Sequence, residues 1–357
     1  MSNFHPIKIA EIENTTDDCV LITLDVPNGL KDTFAYKHGQ YLTFKVTLND
    51  EEVRRSYSLC SSPLDDEWQV GIKRISDGRF STYANTQLKV GDTLEVMPPQ
   101  GNFTKAIDDS EQSSYLMIAA GSGITPIHSI IKTQLEAESK STVTLFYINQ
   151  SSSTIILKES LEALKNQYLG RLRIFHFLTR EKQSADLFNG RIDSDKLDKL
   201  FDTVCDVNQI DDYFLCGPET MIHLVKDFLI EKNVAAEKVH FELFGTSAET
   251  SNERKDEIKK EFTGKTCELT IQEGGRSLDI TVPQGEGNVL DAALDNNADL
   301  PFACKGGVCA TCKAKLVEGS VEMLLSYGLE QDEIDEGYIL TCQSVPTSER
   351  CIVDFDV

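Results

Sequence analysis

The stretch CKGGVCATC, residues 304–312, with a further cysteine at position 342, is the most specific signal in this chain. Cys304, Cys309 and Cys312 are spaced C-x4-C-x2-C, and twenty-nine residues separate them from Cys342. This is the plant-type spacing for a 2Fe-2S cluster. Four thiolates must surround two irons and two sulfides from one side, so three of them come from a single loop. Gly306 and Gly307 give that loop the backbone freedom to wrap and to turn N–H groups toward sulfur. A structural zinc site is the competing reading. Zinc prefers paired C-x2-C knuckles or histidine partners, and no histidine follows His240. Cys19, Cys60, Cys205, Cys216, Cys267 and Cys351 show no ligand spacing and read mostly as small buried hydrophobes.

Around this loop, apolar alternation over 267–272 and 278–282 about a Gly274-Gly275 turn predicts a hairpin, and 289–296 a helix. Together they give a small α+β domain over 263–357, which resembles a β-grasp. Just before it, TSAETSNERKDEIKK (246–260) holds one aliphatic residue beyond its alanine, Ile258. Such a segment cannot bury enough surface to fold alone, and 246–262 reads as an interdomain linker. From 108 to 245, short apolar runs at 116–119, 143–147, 172–178, 213–215 and 239–241 alternate with amphipathic stretches at 127–138, 157–167 and 219–232. Alternation of this kind predicts βαβ units and a parallel sheet, whose ligands bind beyond the carboxyl ends of the strands. Residues 1–107 show strand periodicity at 8–12, 20–26, 41–47, 68–75 and 93–96, with turn residues between and one helical insertion at 81–88. That pattern predicts an antiparallel β-barrel. The fold class is multidomain.

A length of 357 residues suits two or three such domains. With 35 Lys and Arg against 58 Asp and Glu, the net charge is −23. That field repels phosphate backbones and anionic lipid, so neither nucleic acid nor a membrane is an expected partner. The sequence has neither a run of about 18 apolar residues nor a signal-peptide series at its start, and a cytoplasmic location is expected. In a reducing compartment, clustered cysteines serve metal or chemistry more often than disulfides.

Two further motifs carry chemistry. Arg55-Ser56-Tyr57-Ser58-Leu59 offers a cation for a phosphate, a flat ring for an isoalloxazine and a hydroxyl beside it, although an edge strand would read the same way. Gly78-Arg79-Phe80-Ser81-Thr82 opens a helix whose first N–H groups suit a pyrophosphate. In Gly121-Ser122-Gly123-Ile124-Thr125-Pro126, proline stands where a dinucleotide fingerprint has its third glycine, so the ordinary Rossmann pattern is not met. The two glycines still permit close backbone approach, and proline in a first helical turn removes only an N–H that is unpaired anyway.

RSYSL, GRFS, GSGITP and Cys216-Gly217-Pro218-Glu219, in that order, resemble the ferredoxin–NADP reductase superfamily of flavoprotein electron transferases. With the C-terminal cluster domain, the layout resembles the reductase components of bacterial oxygenases over nearly the whole chain. RRSYSLCSSP (54–63), CKGGVCATCKAKLVEG (304–319) and GYILTCQ (337–343) are most similar to the branch serving phenylacetyl-CoA epoxidases. The resemblance implies that Arg55 holds the flavin phosphate, that Tyr57 stacks on the ring and that Ser58 reaches the flavin nitrogen that receives hydride. It sets Gly78, Phe80, Ser81 and Thr82 around the pyrophosphate of FAD. Thr125 and Cys216, with Gly217 and Pro218 following, would lie beside the nicotinamide, and Gly121 and Gly123 beneath its pyrophosphate. Glu242 and Phe244, in HFELF, resemble the segment at the opposite flavin face, with plain core as the alternative for Phe244. Relatives often carry arginine after Asn149, where this chain has Gln150; Arg180 is then the cation left to read a 2′-phosphate, unless it is only a surface charge. The expected cofactors are FAD, a 2Fe-2S cluster and NADPH, with NADH as the alternative.

A nicotinamide gives up two electrons together, a 2Fe-2S cluster takes one, and a flavin can do both. The resemblance accordingly implies an NAD(P)H oxidoreductase feeding an oxygenase component, with Ser58, Cys216, Thr125 and Glu242 as its catalytic set. A redox-sensing cluster protein is the rival of another class. Ring-hydroxylating, steroid and alkane oxygenases are rival clients to the epoxidase. Residues 263–357 carry six Lys and Arg against seventeen Asp and Glu, and Glu330, Asp332, Glu333, Asp335 and Glu336 cluster before Cys342. They form either a solvated face or a docking face for a basic partner.

Overall fold

A computed structural model describes residues 4–245 and 249–357. The chain divides into two compact units, His5–Phe244 and Gly245–Val357, the latter with Phe4.

The first unit begins with six antiparallel strands: β1 (His5–Thr16), β2 (Cys19–Asp25), β3 (Tyr41–Leu48), β4 (Glu51–Ser58), β5 (Trp68–Lys73) and β6 (Thr93–Val96), in the order β4-β3-β6-β1-β2-β5. Asn49 and Asp50, at φ 54° and 63°, make the tight turn between β3 and β4. Both angles match the twist that paired strands require. A bridge from Leu59 to Val70 joins the two edge strands and closes the expected barrel. Alternate residues such as Ile7, Ile9, Leu42 and Phe44 fill it, and helix α1 (Arg79–Thr86) adds Phe80 to that core.

Next comes a five-stranded parallel sheet of β7 (Ser114–Ala120), β8 (Thr142–Asn149), β9 (Leu172–Leu178), β10 (Asp212–Gly217) and β11 (Val239–Leu243), ordered β11-β10-β7-β8-β9. Its crossovers are α2 (Ile124–Ala137), α3 (Lys158–Gln167), α4 (Ser194–Thr203) and α5 (Glu219–Glu231). The strand order reverses between β7 and β10. Such a switch point opens a crevice at the carboxyl ends of the strands, where both GSGITP and CGPE lie. Helix α4 is not in the sequence expectation; Asp193 caps it and Leu197, Leu200 and Phe201 bury its short apolar stripe.

The second unit begins with α6 (Glu249–Glu261). The expected linker is therefore helical over most of its length, while 246–248 lie outside the described residues. The Lys- and Glu-rich composition that denies the segment a core of its own favours helix. Ile258, 3% exposed, anchors it. Beyond it, β12 (Thr266–Glu273), β13 (Arg276–Pro283), α7 (Val289–Asp295), β14 (Lys313–Glu318), β15 (Val321–Met323), α8 (Gln331–Asp335), β16 (Tyr338–Leu340), β17 (Ser344–Pro346) and β18 (Arg350–Asp354) follow. They form a mixed sheet β13-β12-β18-β14-β16 and a small pair β15-β17, with Val289, Leu290 and Ala293 of α7 in the core, as a β-grasp domain requires. Among the described residues no helix is long and apolar enough to cross a membrane.

Candidate active site and cluster loop

Strand β4 sets Arg55 and Tyr57 two residues apart, on one face. Arg55 is exposed, and its Nη1 donates to the Arg54 carbonyl at 2.6 Å, which leaves the rest of the guanidinium to an anion. The half-buried Tyr57 ring rests on Phe80 and Phe44 at centroid distances of 5.5 and 6.1 Å. Gly78 caps α1, and a β-carbon there would lie 2.3 Å from Ser81 Oγ. The Ser81 hydroxyl is occupied within this turn, accepting from Ile75 N and donating to the Gly78 carbonyl. The Phe80 ring is core. What Phe80 and Ser81 can offer a pyrophosphate is therefore backbone N–H, with the exposed Thr82 beside them. These features fit a flavin dinucleotide.

At the switch point the GSG turn packs against the end of β10. A β-carbon on Gly123 would sit 2.2 Å from the Cys216 carbonyl oxygen, and one on Gly217 would sit 2.7 Å from Met221 Cε. Gly121, at φ 55°, has open space over it. Thr125 is buried and donates to the Ser122 carbonyl at 3.0 Å, so its oxygen keeps lone pairs for an incoming donor. Pro218 caps α5. Burial, with Glu242 nearby, pushes the Cys216 thiol well up, and it stays a neutral S–H.

Ser58 and Glu242 lie far apart in sequence, yet Ser58 Oγ donates to Glu242 Oε2 at 3.0 Å. Burial pushes the Glu242 carboxyl up to about 8, with the Ser58 hydrogen bond opposing. Register places Glu242 beside Cys216 on the neighbouring strand. Three of the four expected catalytic residues, Ser58, Cys216 and Glu242, thus adjoin in the fold. Thr125 Cγ2 approaches the β-carbon position of Gly71 at 2.7 Å, so the fourth lies against the barrel. Phe244 is 46% exposed rather than core. Arg180 stands apart from this set at the end of β9; it is exposed, and its backbone N–H donates to the Gln150 carbonyl at 2.8 Å.

In the second unit the loop 304–312 brings its sulfurs together, with Cys304 and Cys309 Sγ 3.1 Å apart and Gly306 N–H on Cys304 Sγ at 3.3 Å. Contacts with Cys309 and Cys342 hold the Cys304 thiol well below its ordinary value. Gly307, at φ 72°, has no room for a side chain against Leu325 and Gln343. Gln343 Nε2 donates to the Lys305 carbonyl at 3.0 Å, and a β-carbon on Gly328 would strike the Cys309 carbonyl at 2.6 Å. Gln343 and Gly328 are loop supports that the cysteine spacing gives no hint of. Four thiols on one wrapped loop and its flank suit a two-iron cluster.

Comparison with known proteins follows this division. Residues 6–105 match the oxidoreductase FAD-binding domain, 117–227 the oxidoreductase NAD-binding domain and 271–347 the 2Fe-2S iron-sulfur cluster binding domain. One subunit of the 1,2-phenylacetyl-CoA epoxidase from Escherichia coli (strain K12) is 40% identical over 356 residues, 100% of this chain and 99% of that one. The chain belongs to the oxygenase reductases. The ferredoxin reductase component of 3-ketosteroid-9-alpha-monooxygenase from Mycobacterium tuberculosis (strain ATCC 25618 / H37Rv) is 33% identical over 98% of this reductase and 95% of its own length. Phthalate dioxygenase reductase shares the fold at a TM-score of 0.59 and 24% identity, across 99% of this chain and 98% of that one. This reductase is thus an oxidoreductase with FAD, NAD and 2Fe-2S domains.

Proposed function

We propose that this reductase carries electrons from NADPH to a phenylacetyl-CoA epoxidase. The hydrogen bond from Ser58 to Glu242 is the observation that supports it most. It joins the strand bearing the flavin motif to the strand beside Cys216, so one crevice serves both cofactors. Arg55, Tyr57 and Ser58, with the backbone of Gly78, Phe80, Ser81 and Thr82, would hold FAD. Gly121, Gly123, Thr125, Cys216, Gly217 and Pro218 would hold the nicotinamide end, with Phe244 at the opposite flavin face. Cys304, Cys309, Cys312 and Cys342 would hold the cluster. Together these groups turn a two-electron donor into a source of single electrons.

The chain's own residues orient and protonate. Below about pH 8 the half-buried Glu242 carboxyl keeps a proton that it can share with Ser58 Oγ, which releases the Ser58 hydrogen toward a bound ring. The neutral Cys216 thiol adds shape and no charge. Close packing of Gly123 against Cys216 and of Gly217 against Met221 leaves no room for a side chain at either glycine.

The 40% identity over full length favours the epoxidase over the steroid hydroxylase as client. The test supplies phenylacetyl-CoA, the epoxidase subunits and NADPH. Oxygen uptake that depends on all of them and on this chain is expected, and uptake with a steroid 9α-hydroxylase alone would overturn the client.

A further inference from the structure

One face of α2 reaches back to the segment leaving β4. His128 Nδ1 lies 2.7 Å from the Cys60 carbonyl, Ser129 Oγ donates to the Ser61 carbonyl at 2.6 Å, the Thr133 and Ser62 hydroxyls are 2.9 Å apart, and Lys132 Nζ meets Asp65 at 2.7 Å. Cys60 is two residues past Ser58, and His128 is three residues past Thr125. The four contacts therefore link the segments that directly follow the flavin and nicotinamide motifs.

His128 differs from the other three. Its Nε2 lies 2.7 Å from Ser160 Oγ on α3, so one ring joins the barrel, α2 and α3. Cys60 offers a carbonyl, which can only accept, so Nδ1 carries the hydrogen and Nε2 accepts from the Ser160 hydroxyl. Lys132 and Asp65 are partly solvated and the Thr133 hydroxyl has a second partner in the Ser129 carbonyl, so each of these two pairs has somewhere else to turn. The buried ring of His128 has not.

We propose that His128 is a positioning residue for hydride transfer, and that its hydrogen bond to Cys60 fixes the separation between Ser58 and Thr125. This rests on the function proposed above. Transfer requires reacting atoms about 3–3.5 Å apart, and a misplacement near 1 Å can cost about a hundredfold. A rigid ring between α2 and the segment leaving β4 holds such a separation where flexible side chains would not.

The two ring nitrogens can be tested apart. In His128→Asn the amide nitrogen falls near the Nδ1 position and keeps the Cys60 bond, whereas in His128→Gln the amide falls near Nε2 and keeps only Ser160. Flavin reduction is followed by stopped flow at equal bound FAD, with NADH and NADPH each as donor. His128→Asn should stay within about twofold of the native rate, while His128→Gln and His128→Leu should slow it roughly tenfold with little change in KM. Reduction by dithionite should not change. Amide hydrogen exchange at Leu59 to Ser61 should quicken in the Gln and Leu variants alone. If His128→Leu does not fold, His128→Gln carries the comparison. Native per-flavin rates in the Gln variant, or an equal loss in the Asn variant, would overturn the inference. Failure of both nucleotides to reduce the native flavin would instead overturn the proposed function beneath it.

Discussion

Gly123 lies so close to the carbonyl of Cys216 that a β-carbon would fall 2.2 Å from its oxygen. The obstacle is backbone at the end of a central strand and cannot swing aside. Gly123→Ala should lower stability by about 1–3 kcal/mol through forced displacement of β10. Gly121→Ala has open space above it and only an unfavourable positive φ to bear, costing about 1 kcal/mol. Denaturant midpoints at unchanged m-values measure both. A Gly123→Ala protein as stable as the native one would refute the close approach.

The half-buried carboxyl of Glu242 gives a pH signature. Its folded value of about 8 exceeds the ordinary 4.5, so the stability it contributes is whole below pH 4.5, falls as pH rises toward 8 and changes no further above that. Glu242→Gln has no such proton to lose. The stability of the native protein relative to this variant should decline between pH 4.5 and 8. A difference that instead grows as pH rises would mean that Glu242 is ionised in the fold.

Cys309→Ser should abolish the cluster's absorbance and leave FAD in place, since the flavin motifs and the cysteine loop belong to separate compact units. Two irons and two labile sulfides per native chain are expected from anaerobic preparations. Zinc without sulfide would contradict the cluster.

Arg180→Ala should weaken NADPH by about 1.5–3 kcal/mol, as for a hydrogen bond to a charged group, and spare NADH. Equal losses for both nucleotides would show that Arg180 does not read a 2′-phosphate.

Transfer to the oxygenase should slow steeply with added salt while flavin reduction by NADPH changes little, if the acidic face around α8 steers docking. Glu333 is a poor probe of this, because its carboxylate receives Lys313 Nζ at 2.7 Å and the Glu330 N–H at 2.9 Å. Charge reversal at the exposed Asp335 and Glu336 leaves those bonds alone. It should slow only the transfer step, and an unaffected rate would remove the docking role.

The barrel, the parallel sheet and the cluster domain were legible because each announces itself locally, through alternation of period two, through apolar runs between amphipathic helices, or through fixed cysteine spacing. Helix α6 was not, since a segment judged by its lack of apolar residues takes its helix from Lys and Glu and its anchorage from Ile258 and from ion pairs of Arg254 with Glu322 and Lys259 with Glu286. Helix α4 hid behind a stripe of three residues. In the site, the glycine turns and Ser58 could be read from motifs, but the meeting of Ser58 with Glu242 depends on how two sheets pack. His128 looked like any residue on an apolar helix; its partners, Cys60 and Ser160, belong to other elements.

The bonds from α2 to the Cys60–Asp65 segment also bear on how this chain can be taken apart. A chimera that exchanges the parallel-sheet half at residue 107 would bring a foreign α2 against Cys60, Ser61, Ser62 and Asp65 and leave their partners behind. An exchange made at Gly245 severs none of these bonds. The interchangeable part of this reductase is therefore its 2Fe-2S domain, whereas the flavin and nucleotide halves must be inherited together.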